Sequence, residues 1–277
     1  MAENTGILQR KGLSASVLKN LAYVFMIIDH VGYSVIASYY GAHGLNCNNE
    51  PVYVCFRLLG RLAFPIFIFL LVEGYNKTGN KLKYLIRLLA FAFISEIPFN
   101  LFVSKKIIYS ANKNVMFDLA ISFAVLWAVD YCSNHSRLNK ITGYLLNTVI
   151  VVSGIALEIV LGCDYSVIAV ALTMVFYFFL YDYKKLFPMV AVCLFGGEFL
   201  HFVLGSVISR GINSIQPEYL SKVLSYSYSE LVGVISLIFI LRYNGQKGHQ
   251  VNKYVYYLIY PLQFLILYGI TRFLFLG

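Results

Sequence analysis

Charged residues are scarce in this sequence. Of its 277 residues, 13% are charged and 59% are hydrophobic, whereas about 25% of residues are charged in an ordinary soluble domain. A soluble protein this apolar would expose patches that drive aggregation. The composition therefore excludes a typical soluble enzyme. It predicts an all-α polytopic membrane protein that has the lipid bilayer as its surroundings.

The short signatures of soluble enzyme families and of metal sites are absent as well. The sequence contains no GxSxG, P-loop, GxGxxG or HExxH motif, and no CxxC pair among its five cysteines. We therefore expect no metal site. Cys47 and Cys55 fall in one predicted loop. The sequence leaves open whether they form a disulfide or remain free thiols. The net charge of +9 is typical of loops beside anionic headgroups, so no nucleic-acid partner is expected.

Long apolar stretches predict about nine transmembrane helices, because one crossing needs roughly 20 residues. Eight and ten helices are the alternatives. The loop before the eighth predicted helix is long enough to hold a short interfacial helix. All belong to a single transmembrane domain over residues 1–277, in which the polar residues 1–17 are a cytoplasmic N-terminal segment without a cleavable signal. The predicted helices cover 18–40, 52–74, 82–103, 114–131, 141–161, 165–182, 185–208, 227–243 and 254–275.

The distribution of loop charges predicts the orientation. Lys and Arg on the N-terminal side of the predicted helices are roughly twice as many as those on the other side, and positive loops stay in the cytoplasm. The N-terminus is therefore expected to be cytoplasmic.

Several charges fall inside these apolar segments, where each costs roughly 2.5–3.5 kcal/mol on insertion scales. Asp29 and His30 lie in the middle of the first segment. A histidine exchanges protons near neutral pH, and a neighbouring carboxylate can orient it. The pair therefore predicts a buried acid–base site, with a packing hydrogen bond as the alternative.

The second segment carries two arginines one helical turn apart. Arg57 and Arg61 share a face, Gly60 permits close approach of a neighbour, and Pro65 predicts a kink that frees the carbonyl group of Arg61. The two guanidinium groups predict an anion site, although Arg57 is also placed to reach the headgroups. Glu73 ends this helix at the predicted cytoplasmic face.

The later segments add further polar residues. Glu96 precedes Pro98, which is expected to break the third helix, and Tyr260–Pro261 is expected to interrupt the last one. Glu198 and His201, three residues apart on one helix, favour a mutual hydrogen bond over a metal site.

An ordered set of these residues resembles the TraX family of integral membrane proteins, which is named after the conjugal-pilin acetylase. The resemblance is dense from 57 to 100 and sparse elsewhere. Asn100, Asp118 and Gln263 depart from the family pattern, and Gln263 stands near the place of a family histidine. The residues that carry the resemblance are Asp29, His30, Arg57, Gly60, Arg61, Phe64, Pro65, Glu73, Gly74, Thr78, Tyr84, Arg87, Ser95, Glu96, Pro98, Phe99, Asn114, Phe117, Asp164, Tyr165, Tyr260 and Pro261.

The resemblance implies an acetyltransferase of the bacterial inner membrane. It would move an acetyl group from cytosolic acetyl-CoA, as co-substrate, to an amine or hydroxyl group on an outer-side peptide, such as a pilin N-terminus, or on a surface glycan. The sequence leaves open whether the protein forms a homo-oligomer.

Joining the resemblance with the buried charges assigns roles to residues. His30, held by Asp29, is the expected base, and Arg61 is expected to stabilise the oxyanion of the thioester. The expected donor-side residues are Arg57, Glu73, Lys81, Lys83 and Arg87. The expected acceptor-side residues are Glu96, Asn114, Asp164, Tyr165 and Tyr260.

Two other functions fit the same charges. A proton-coupled transporter or flippase of a small anionic or glycan substrate would use them as a relay and an anion site. A non-catalytic assembly factor would bind a membrane peptide and would tolerate the loss of Asp29, His30 and Arg61.

Overall fold

The computed structural model describes residues 12–109, 111–135, 139–211, 214–249 and 252–276, and the predicted segment 1–17 falls mostly outside this range. In the described part of the chain, nine helices follow one another and no strand is present. Their bounds are α1 Ala15–Ala42, α2 Pro51–Lys77, α3 Lys81–Ser104, α4 Val115–Asn134, α5 Lys140–Leu161, α6 Ser166–Phe179, α7 Tyr183–Ile208, α8 Pro217–Ile240 and α9 Tyr254–Phe275.

The prediction of an all-α polytopic membrane protein is confirmed. Eight of these helices are long and apolar enough to cross a membrane, and α6 is the shorter ninth. The predicted interfacial helix before the eighth span does not exist as a separate element. Pro217 starts α8 itself, because its missing N–H costs nothing at the first helical position. That helix therefore begins ten residues before the predicted start.

The helix breaks fall partly where proline predicts them. In α2 the helix opens at Arg61–Leu62, between Pro51–Gly60 and Ala63–Lys77, and so matches the predicted kink. Pro98 and Pro261, in contrast, lie inside continuous helices, so both predicted interruptions were wrong. Neighbouring helices in a membrane protein can satisfy the backbone groups that a proline frees.

The short helix α6 is the centre of the bundle. Most of its side chains are buried, and it packs against α2, α4, α5 and α7. Because protein rather than lipid surrounds it, its length of about 21 Å need not match the hydrocarbon thickness. Its N-terminus is held by Asp118 of α4, whose Oδ1 accepts from the backbone N–H groups of Tyr165 and Ser166 at 3.1 and 2.8 Å. Asp118 therefore caps α6 rather than its own helix.

Close packing of α1 on α2 depends on Gly60. A Cβ atom at Gly60 would lie 2.3 Å from the Cβ and Oδ1 atoms of Asp29. The glycine thus brings the Asp29 carboxylate against α2. Cys47 and Cys55, in the connection before and the first turns of this helix, are free thiols and form no disulfide.

Candidate functional site

A cavity of about 380 Å³ lies between α1, α2, α3, α4 and α9, at the end of the bundle that holds the start of α1. We call it the basic cavity. It reaches Val115 and Met116, in the first turn of α4, which enters the bundle from the opposite face. Its lining is rich in cations and tyrosines: Lys19, Tyr23, Glu73, Lys77, Tyr84, Arg87, Tyr243, Lys247, His249, Tyr256, Tyr257 and Tyr260.

Two cations of the basic cavity have no carboxylate partner among the described residues. Arg87 donates from Nε to the hydroxyl group of Tyr257 at 3.1 Å and lies over the rings of Tyr84 and Tyr257. Lys19 lies over the ring of Tyr256 at 4.7 Å, and it is close enough to Arg87 for the two charges to repel. Two neighbouring cations without a counter-ion form a natural anion site.

A third cation, Lys77, is neutralised. Its Nζ lies 2.5 Å from Oε1 of Glu73, and the Tyr243 hydroxyl donates to the same oxygen at 2.7 Å. Lys77 also donates to the carbonyl group of Gly245 at 2.7 Å. This network fixes the connection between α8 and α9 against the mouth of the cavity, so Glu73 acts here as a structural partner.

Only part of the predicted donor-side set lies in the basic cavity. Glu73 and Arg87 do. Lys81 instead forms an ion pair with Asp130 of α4 at 2.9 Å, because that carboxylate projects toward the first turn of α3. Lys83 is exposed on the surface of the helix bundle. Arg57 belongs to a different cluster near the opposite face, so these three predicted donor-side residues do not line the basic cavity.

Six charged residues meet between α1, α2, α7, α8 and the start of α6. We call them the charge cluster: Asp29, Arg57, Arg61, Asp164, Glu198 and Glu230. Arg57 contacts Asp29 at 2.6 Å and Arg61 contacts Glu230 at 2.7 Å. Each guanidinium group is thus compensated by a carboxylate, so the two arginines do not form the free anion site that the sequence predicted, and the role of Arg61 at an oxyanion stays a prediction.

In the described ranges of the chain, the two remaining carboxylates of the cluster have no direct cation partner. Glu198 makes no hydrogen bond to His201 and lies in the field of Arg61 and Glu230. Asp164 is exposed to the opening between the helices, and the surrounding protein reduces its contact with bulk water. Loss of bulk water raises the pKa of Asp164 to about 6, despite the opposing effect of Arg57. Beside it, Tyr165 stacks on Phe64 with ring centroids 3.6 Å apart. The cluster therefore opens toward the face opposite the basic cavity.

His30 lies between the two polar regions. Met26, one helical turn earlier on α1, lines the basic cavity, and Asp29, the preceding residue, belongs to the charge cluster. The imidazole ring packs on Phe102 of α3 and Phe264 of α9 with centroids 5.5 and 4.9 Å away. The predicted support by Asp29 is not present, because Arg57 holds that carboxylate.

Three predicted acceptor residues form a packing network. The amide group of Asn114 donates to Glu96 at 2.7 Å and to the carbonyl group of Ala92 at 2.9 Å. Lys113 contacts Glu96 at 2.9 Å, and the Tyr260 hydroxyl accepts from the backbone N–H of Val115 at 3.2 Å. Their polar atoms hold the first turn of α4. Asp164 and Tyr165 are the predicted acceptor residues that line the open charge cluster.

The sequence patterns missed Lys19, Lys247 and four tyrosines of the basic cavity, namely Tyr23, Tyr243, Tyr256 and Tyr257. The signal was present, since the sequence has 23 tyrosines, and they recur at the start of α9. Glu230 was missed because it stands alone in a polar stretch. Its importance follows only from its contact with Arg61.

These features define a polytopic α-helical membrane protein with a basic cavity at one face and a charge cluster at the other. The chain belongs to the TraX family: the family model described as TraX protein matches residues 14–271. It is 26% identical over 269 residues to the Probable fimbrial assembly protein FimC, serogroup H1, of Dichelobacter nodosus, covering 94% of this chain and 97% of that protein. No solved structure matches.

Proposed function

We propose that this protein is an acetyl-CoA-dependent acetyltransferase of the bacterial inner membrane. The donor is cytosolic acetyl-CoA, and the acceptor is an amine or hydroxyl group presented at the outer side. The observation that carries the proposal is the position of His30, between a basic cavity that opens at the N-terminal face and a charge cluster that opens at the opposite face. The excess of positive loops on the N-terminal side supports a cytoplasmic position for that face.

The basic cavity fits the chemistry of coenzyme A. Arg87 and Lys19, which lack carboxylate partners, would bind its phosphate groups, and Lys247 at the exposed mouth adds a further cation. The surrounding tyrosine rings offer flat surfaces for an adenine base. The cavity continues between the helices to Met26. The flexible thioester arm of the bound donor would therefore reach the neighbourhood of His30.

The proposed reaction needs one group that moves a proton. The nitrogen or oxygen atom of the acceptor attacks the carbonyl carbon of the thioester, and His30 takes the acceptor proton. The C–S bond breaks, and the sulfur of coenzyme A receives the proton from His30 and leaves as the thiol. General acid–base catalysis of this kind contributes about 10²- to 10⁴-fold to the rate.

The acceptor would enter from the outer face along Asp164 and Tyr165. The name of the Dichelobacter nodosus relative, a probable fimbrial assembly protein, supports a subunit of a surface fibre as the acceptor. It also supports a second function, in which the protein aids assembly without catalysis. The two functions differ in whether His30 is needed.

Thermal unfolding of the detergent-purified protein tests donor binding. Acetyl-CoA should raise the melting temperature with increasing concentration, because a ligand that binds the folded state stabilises it. Arg87→Ala and Lys19→Ala should reduce this shift. Lys83→Ala, which removes an exposed lysine from the same helix as Arg87, is the matched control and should keep it. The absence of a shift with millimolar acetyl-CoA would favour the assembly function or a transporter.

A further inference from the structure

Within the part of the chain that the structure describes, two buried polar atoms on neighbouring helices have no hydrogen-bond partner at standard geometry. One is Nδ1 of His30 on α1, and the other is Oε1 of Gln263 on α9. The two side chains lie next to each other, and Gln263 is only 7% exposed. Its Nε2 donates to the sulfur of Met26 at 3.6 Å. A buried donor and a buried acceptor that are adjacent satisfy each other best by pairing.

The other neighbours of His30 cannot take this role. Asp29 and Arg57 are the charged groups that face it. Oδ2 of Asp29 binds Arg57 at 2.6 Å, and Oδ1, which also has no hydrogen-bond partner among the described residues, lies against Gly60 of α2. Phe102 and Phe264 cover the ring with apolar surface. Gln263 is therefore the polar group on the α9 side of His30 whose acceptor oxygen is still free among the described residues.

We infer that Gln263 is the positioning residue of His30, and this inference rests on the proposed acetyl transfer. The Nδ1–H group donates to Oε1 of Gln263, which fixes the tautomer and leaves the lone pair on Nε2 for the acceptor proton. Its bond to Met26, at the wall of the basic cavity, sets the direction of the carboxamide. A neutral amide provides this support within the membrane without adding another charge.

Substitutions at Gln263 separate positioning from packing. Gln263→Leu should lower kcat for acetyl transfer about 10- to 100-fold, the loss typical of partners that orient a histidine, and should leave KM for acetyl-CoA unchanged. Gln263→Glu keeps an acceptor oxygen and should restore most of the activity. Its carboxylate favours imidazolium, so the acid limb of the pH–rate profile should move to higher pH.

Two controls keep the result interpretable. Thr271→Val removes a different buried polar group from α9, a hydroxyl group that donates to the carbonyl group of Leu267 in the same helix. This variant should leave kcat unchanged. Gln263→Met keeps the unbranched shape of glutamine and gives the same readout if the leucine variant does not fold.

Wild-type kcat in Gln263→Leu, or an equal loss in Gln263→Leu and Gln263→Glu, would overturn the positioning role. These outcomes are distinct from a failure of the proposed function. In that case acetyl-CoA would not stabilise the wild-type protein, and His30→Ala would behave like wild type.

Discussion

At the scale of single residues, the ion pair of Arg61 with Glu230 is the most buried charge contact in the charge cluster, with side chains 13% and 3% exposed. Removal of one partner leaves the other charge buried without compensation. Arg61→Met should therefore lower the free energy of unfolding by about 3–5 kcal/mol.

The double variant Arg61→Met, Glu230→Leu should recover most of this loss, because it leaves no buried charge. Unfolding in a denaturing detergent, followed by circular dichroism, measures both effects. Disruption of the exposed Asp182–Lys185 pair is the control and should cause no resolvable change. Equal losses in the single and the double variant would show that side-chain packing, not charge, stabilises this site.

Asp164 gives the charge cluster a pH dependence. Its pKa is raised from the ordinary 3.8 to about 6 in the folded protein, so folding favours the protonated form. Its contribution to stability is present below about pH 4 and disappears as the pH rises through 6. The melting temperature of the wild type should therefore fall between pH 4 and pH 6.5 relative to that of Asp164→Asn. Parallel pH profiles for the two proteins would contradict the raised pKa.

The sequence located the buried charges correctly but not their partners. Asp29, Arg57 and Arg61 stand out because charge inside an apolar segment is costly. Which carboxylate each arginine meets depends on helices that are distant in the sequence, as the contact between Arg61 and Glu230 shows. Because Asp29 and His30 are adjacent in the sequence, Asp29 was predicted to support His30. In the fold, Asp29 instead forms an ion pair with Arg57.

At the scale of helices, the contact between α1 and α2 depends on the small side chain of Gly60. Gly60→Ala should displace Asp29 from Arg57, because the new methyl group would overlap the Asp29 side chain. We expect a lower melting temperature and a loss of acetyl transfer.

Gly143→Ala is the matched control. It lies in α5, where an added Cβ atom meets nothing within 4 Å, and alanine is favoured over glycine in a helix by about 0.5–1 kcal/mol. This variant should be as stable as the wild type or slightly more so. An equal loss of stability in both glycine variants would contradict the close-packing argument.

Helix positions were largely predictable, whereas their local breaks were not. Apolar length identifies a span, and the range predicted for the sixth helix, 165–182, contains α6, Ser166–Phe179. The kink at Arg61–Leu62 was expected from Pro65, but Pro98 and Pro261 are absorbed within α3 and α9. Whether a proline opens a helix depends on which neighbours satisfy the freed backbone groups, and these belong to tertiary structure.

At the scale of the whole molecule, transfer from cytosolic acetyl-CoA requires that the basic cavity faces the cytoplasm. In a variant without native cysteines, Gly79→Cys labels the connection between α2 and α3, and Lys106→Cys labels the one between α3 and α4. A membrane-impermeant maleimide should react with Lys106→Cys in intact cells and with Gly79→Cys only after permeabilisation. The reverse pattern would place the basic cavity outside and exclude cytosolic acetyl-CoA as its ligand.

The arrangement of the two polar regions on opposite faces was only half visible in the sequence. Loop charges predicted the orientation, and the resemblance to the TraX family suggested a cytosolic donor. The cavity itself is built from α1, α2, α3, α4 and α9, and no local pattern reveals which side chains of five separated helices share one space. Lys81 was therefore assigned to the cavity although it faces Asp130.

The most direct test of the central claim is acetyl transfer in sealed membrane vesicles of known orientation. Vesicles from cells that produce the protein together with its native acceptor receive radiolabelled acetyl-CoA from outside. Label should enter the membrane fraction in inverted vesicles but not in right-side-out vesicles. It should be lost with His30→Ala and Arg87→Ala and be retained with Lys83→Ala. Incorporation in right-side-out vesicles, or wild-type incorporation with His30→Ala, would contradict transfer through His30 from a cytoplasmic donor cavity.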